Sequence, residues 1–307
     1  MMKKFLALLL AVLLFLLPAL AAAETAVASF YPIYLFARNL TEGIEGVEIS
    51  SLTTNDVGCL HDYQLQTSDM KALARADVFL INGAGMEGYL TMVYDALPAL
   101  PVIDASQGVA FLCADDVHTV ASDDHHHDHS HEHEEINAHI WLDVENAKTM
   151  VINLCEGMAN AWPHHRTALE SNRDAYLDRL TALDAELKAM LAPVAGKPII
   201  TFHEAFPYFA QAYGVSIAGV ISREPGDALS PAQLAELVLS MCDMGNPPLF
   251  IEPQYDDIAA MTLAAETGAA VYVLDPIVTG PVGDDALTFY EQMMRQNAET
   301  LVEALGN

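Results

Sequence analysis

Apolar and polar positions follow two periods along this chain. In the first half, the short β-rich runs TAVASF, VEISSL, DVFLING and PVIDAS are separated by segments such as SDMKALARA and YLTMVYDAL, whose apolar residues fall at helical spacing. The second half repeats the theme: PIITF, VSIAGVI, PLFIE and AVYVLD alternate with PAQLAELVLSMC, DDIAAMTLAAE and a final ALTFYEQMMRQNAETLVEAL. Strands that alternate with helices predict parallel α/β units. Between the halves, Leu169, Tyr176, Leu180, Leu183, Leu187 and Leu191 trace one stripe of a long helix, ended by Pro193 and Gly196. The expected fold is α/β, with two lobes joined by one long helix. The expected boundaries are an N-terminal lobe over 24–162, a linking helix over 163–192 and a C-terminal lobe over 193–307.

The first 23 residues stand apart. Lys3 and Lys4, an apolar run from Phe5 to Leu17 and small residues at Ala21–Ala23 read as a cleaved secretory signal. That run is too short to span a bilayer comfortably. The cleavage region carries no cysteine, which argues against a lipid anchor. A periplasmic or otherwise extracytoplasmic location is expected.

Charge narrows the function. Thirteen Lys+Arg against 42 Asp+Glu give −29, and removing 1–23 leaves 11 basic residues and −31. Such a field repels nucleic acid and suits a cation. The four cysteines, Cys59, Cys113, Cys155 and Cys242, contain no CxxC pair, so a thiolate zinc site is not expected. Cys155 and Cys242 fall in amphipathic helical patterns, where buried thiols are expected. Cys59 and Cys113 lie in loop-like segments of one half, which leaves a disulfide between them open.

Histidine carries the candidate chemistry. The segment 123–135, DDHHHDHSHEHEE, packs His125, His126, His127, His129, His131 and His133 among acids with no apolar residue. It reads as an exposed loop suited to loose metal capture. Elsewhere, His61, His139 and His203 lie where loops follow strands, as does Asp275 at the end of AVYVLD. A lone histidine of this kind is more often structural. Three at equivalent places, near a His-rich tract, favour a site of three imidazoles and one carboxylate, a set that suits Zn(II). His164 and His165, at a helix start, are expected to face solvent.

The stretches GCLHDYQLQTSDMKALARADVFLINGAGMEGYL, AHIWLDVENA, ITFHEAFPYFAQAYGV and LFIEPQYDDIAAMTLAAETGAAVYVLDPI resemble the metal-binding subunits of ABC importers for zinc and manganese, most closely the zinc-specific (ZnuA-like) branch. The resemblance covers about 25–305 in the family's order. It implies that the connecting helix is rigid, that the metal lies in the interlobe cleft, and that the chain is a receptor rather than an enzyme. By position it implies His61 and His139 as ligands from the first lobe and His203 and Asp275 from the second, with water able to replace Asp275. It further implies an ABC permease and its ATPase as partners, a monomeric receptor and no nucleic acid. Manganese-selective relatives usually carry a carboxylate at the position of His203, so histidine there favours zinc over manganese or iron. Thr67 departs from the proline usual in that turn. Glu204 and Glu224 are candidates, by position, for orienting the imidazoles. A zinc hydrolase is the competing enzymatic reading, with Glu204 as base, but FHEAFPY lacks the second histidine of HExxH. A zinc buffer that needs no permease is another.

Overall fold

The computed structural model describes residues 23–53, 63–113, 136–221, 230–254 and 258–306. Residues 1–22 of the predicted signal, Cys59, His61, the tract 123–135 and Glu224 lie outside them. In the first half, β1 (Glu24–Ala28), β2 (Val47–Ser51), β3 (Val78–Ile81) and β4 (Val102–Asp104) form a parallel sheet of order β2-β1-β3-β4. In the second, β5 (Pro198–Thr201), β6 (Ser216–Val220), β7 (Leu249–Ile251) and β8 (Val271–Val273) form its counterpart, of order β6-β5-β7-β8. All eight predicted strands are present, and every ladder is parallel. In a parallel sheet the strand ends that follow in sequence share one edge. Each half therefore presents its post-strand loops on one side.

The helices of the first half are α1 (Tyr31–Leu40), α2 (Thr67–Leu73), α3 (Leu90–Ala96) and α4 (Val144–Ala161). A 3-10 turn at Pro163–His165 leads into α5 (Arg166–Leu191), and α6 (Pro207–Tyr213), α7 (Pro231–Asp243), α8 (Ile258–Thr267) and α9 (Phe289–Leu305) follow. The predicted apolar stripe of α5 is buried along its whole length. Gln66 is the N-cap of α2, and Asp69 Oδ2 accepts the Gln66 N–H at 2.7 Å in a capping box. Cys155 is buried as expected, whereas Cys242 is exposed on the outer face of α7. No described helix is long and apolar enough to cross a membrane.

The larger core cluster is continuous across the two halves. It runs from Val27, Phe79 and Leu80 under the first sheet, through Leu180 and Leu187 of α5, to Phe206, Phe250 and Leu274 of the second half. A smaller cluster, including Ile200, Leu237 and Leu249, serves the second lobe alone. Arg179 of α5 reinforces the connection. Its guanidinium donates to Asn39 Oδ1 of α1, to the Leu287 carbonyl at 3.0 Å and to Glu291 Oε1 of α9 at 3.0 Å. With apolar packing and charged hydrogen bonds on the same helix, α5 joins the lobes as a stiff spine rather than a hinge.

Candidate metal centre

The register of the second sheet sets one half of the site. Thr201 of β5 pairs with Phe250 of β7, so the residues two places further on, His203 and Glu252, emerge side by side. His203 Nδ1 lies 2.9 Å from Glu252 Oε1, and both side chains are buried. This contact fixes the orientation of the ring through its Nδ1 side. On the adjoining strand, Ile251 pairs with Val273, which brings Asp275 to the same edge. Asp275 Oδ1 accepts the Ile277 N–H at 2.7 Å. Its carboxyl is raised above the usual range, first by burial and further by the nearby Glu252 charge. Ile277 holds φ +65 while fully buried, a left-handed conformation that costs a β-branched residue roughly 1–3 kcal/mol. The strained residue is the one whose N–H orients Asp275.

The other half of the site comes from the segment before α4. His139 is buried, and Asn137 Oδ1 accepts its backbone N–H at 3.0 Å and lies 3.2 Å from its Nδ1. As at His203, the ring is held through its Nδ1 side. Asn137 also reaches across the lobes: its Nδ2 donates to the Glu204 carbonyl at 2.8 Å, and its own carbonyl accepts from Tyr208 Oη at 2.9 Å. The His139 and His203 rings meet edge to face, with centroids 5.0 Å apart and planes at 77°. Trp141 backs His139 at 5.2 Å, and its Nε1 donates to the Pro276 carbonyl at 2.7 Å.

Behind His139 lies a buried carboxylate. Glu87 accepts the Asn82 N–H at 2.7 Å and the Gly83 N–H at 3.1 Å, while Asn82 Nδ2 donates to the Ala138 carbonyl at 3.0 Å. Gly83 has φ +76, and a Cβ there would lie 2.0 Å from Asp104 Oδ1, so only glycine fits the turn. Burial pushes the Glu87 carboxyl up from 4.5 to about 7, outweighing the hydrogen bonds that favour its charged form. Between those values the unfolded chain ionises this group and the folded chain resists. Its effect is therefore a loss of stability, on the order of 3 kcal/mol, as pH rises from about 4.5 through 7. Unfolding free energies of metal-free protein, measured across that range, should decline less steeply in Glu87→Gln than in the unmodified chain. Parallel curves would refute the assignment.

The structure thus brings His139 and His203 into contact and sets Asp275 on the same edge. His61 lies outside the described residues, as does the tract 123–135. Sequence reasoning missed Glu252, Asn137 and Glu87. Glu252 follows a strand as His203 and Asp275 do, so the same positional rule would have found it. Glu204, a candidate orienting group, contributes its backbone carbonyl to the Asn137 bridge, while the carboxylate at His203 Nδ1 belongs to Glu252.

A family model described as zinc-uptake complex component A, periplasmic, matches residues 26–304. The chain belongs to this family. The high-affinity zinc uptake system protein ZnuA of Brucella suis biovar 1 is 29% identical over 292 residues, covering 86% of this chain and 87% of that protein. Zinc-binding protein AdcA of Streptococcus pyogenes serotype M3 is 30% identical over 303 residues, which span 90% of this chain and 55% of the longer AdcA. Among solved structures, FpvC of Pseudomonas aeruginosa in complex with Mn2+ matches at TM-score 0.78 and 25% identity, over 92% of this chain and 99% of that one. A crystal structure of ZnuA matches at TM-score 0.76 and 24% identity with the same coverage, a likeness of fold. Two parallel-sheet lobes bridged by a long helix are therefore the family's architecture as well as this chain's.

Proposed function

We propose that this chain is an extracytoplasmic receptor that captures Zn(II) and delivers it to an ABC permease driven by its ATPase. The observation that carries the reading is the pair of buried imidazoles, one from each lobe, whose Nδ1 atoms are engaged by Asn137 and Glu252. With Nδ1 held, both rings can offer Nε2 to one ion. His61 and Asp275 complete the proposed ligand set, three neutral nitrogens and one carboxylate, with water as the alternative to Asp275. Zinc names in the family and its relatives support the choice of metal. No catalytic step is needed: the ion is cargo. The receptor is proposed to act as a monomer, released from its signal between Ala23 and Glu24 without a lipid anchor. Because α5 is packed and pinned on both lobes, release to the permease proceeds by local shifts of the post-strand loops.

A manganese receptor is the second reading, favoured by the likeness to Mn2+-bound FpvC. The donors argue against it, since Mn(II) prefers oxygen and this cleft presents imidazole. Competitive Zn(II)/Mn(II) titration, with and without residues 123–135, separates the readings. One tight Zn(II) site that survives the deletion and excludes Mn(II) is the expected result. Equal or tighter Mn(II) binding would establish the manganese reading, and loss of tight zinc binding with the tract would make the protein a buffer. Binding should also weaken as pH falls through about 6.5, where protons compete for free imidazole.

A further inference from the structure

A second group of metal-ligating side chains lies at the opposite end of β1. Glu24 is the first residue of that strand, and His164 and His165 occupy the 3-10 turn before α5. His139 is held from the other end, since β1 Ala28 pairs with Leu80 and Asn82 beyond it reaches Ala138. Four strand steps, about 13 Å, separate the two ends of β1. His164 Nε2 lies 3.4 Å from Glu24 Oε1, and His165 Nε2 lies 3.1 Å from Glu24 Oε2. The two rings are 4.1 Å apart between centroids, and one ligand atom from each of the three residues falls within 4.8 Å of the others.

Solvent exposure describes His164 but not its two partners. His165 and Glu24 retain only 19% and 24% side-chain exposure, against 64% for His164. Glu24 Oε2 is buried and accepts no hydrogen bond, although an imidazole nitrogen stands 3.1 Å away. A carboxylate oxygen removed from water needs a proton donor or a cation. Adjacent donors on a tetrahedral zinc ion lie about 3.3 Å apart, from bond lengths near 2.0–2.1 Å; the two nitrogen–oxygen separations, 3.4 and 3.1 Å, are close to that, and the three-atom set lies within 4.8 Å, near enough to close on one ion. The chain's charge of −29 adds a general attraction for cations.

We propose that Glu24, His164 and His165 form a second site for a borderline divalent cation of the zinc class, with water as the remaining ligand. It is weaker than the cleft because it has one fewer protein donor and opens to solvent through His164. Occupied, it ties the start of β1 to the start of α5. The proposal does not depend on the cleft: no residue is shared.

Zinc titration calorimetry of the full secreted chain tests it, comparing the unmodified protein with His164→Ala/His165→Ala and with Glu24→Gln. The double variant should bind one zinc equivalent fewer while the tightest equivalent is unchanged, and Glu24→Gln should weaken the same equivalent. Ring signals of His164 and His165 in NMR spectra should shift as that equivalent fills, which keeps the test independent of any loss of fold in the double variant. Equal stoichiometry in all three proteins, with ring signals unmoved by zinc, would overturn the proposal.

Discussion

Replacing His203 by alanine is expected to lower Zn(II) affinity by roughly two orders of magnitude or more, the largest binding effect in the chain. The ring is buried, it meets His139 edge to face, and Glu252 fixes its Nδ1. Its loss removes a donor and leaves the Glu252 carboxylate buried without its imidazole. Glu252→Gln tests the orienting role separately. The amide can still meet the ring, but it supplies no charge to raise imidazole basicity. A loss of about 10- to 100-fold is expected, smaller than for His203→Ala. Isothermal titration with a competing chelator reads both. Unchanged affinity in His203→Ala would remove this residue from the site. An Glu252→Gln loss as large as the alanine variant's would mean that the carboxylate itself contacts the metal.

Trp141→Ala is expected to give the largest loss of stability, about 3–5 kcal/mol. The indole is fully buried between Phe30, in edge-to-face contact at 5.0 Å, and His139. Its Nε1 bonds the Pro276 carbonyl, and its own carbonyl accepts from Tyr290 Oη at 2.7 Å. Truncation therefore opens a cavity where the two lobes meet and strands the Pro276 carbonyl. The melting temperature should fall by about 10 °C. Trp141→Phe, which keeps an aromatic face and loses the indole donor, should fall between the two proteins. Zinc affinity should drop as well in Trp141→Ala, because His139 loses its backing. A loss below about 1 kcal/mol would show that the interlobe contact is not carried by this residue.

Most of the fold is legible in the sequence, because both sheets are parallel and their strands read as short apolar runs between helical segments. The stripe of α5 was equally plain, since six buried residues keep helical spacing over more than five turns. The continuity of the core was not legible. Whether two halves pack on separate cores or share one depends on residues such as Trp141 and Phe206, whose partners are distant in sequence. His139, His203 and Asp275 are singled out by their positions after strands, and the structure sets the His139 ring against that of His203. Their orienting partners are not singled out in this way, because an Asn two residues upstream or a Glu on the next strand becomes meaningful only once register is known. At the helix start after Trp162-Pro163 the expectation of solvent holds for His164, which is 64% exposed, but not for His165, because the first residue of β1 is brought beside both by a contact across more than 130 positions.

The central claim is that the two lobes hold one zinc ion through His139 and His203. Anomalous diffraction at the zinc edge, from crystals of the secreted chain loaded with a single equivalent, tests it most directly. The account predicts one strong peak within bonding distance of the Nε2 atoms of His139 and His203, with His61 as a third donor. A dominant peak at 123–135, or at Glu24, His164 and His165, with none in the cleft, would contradict it.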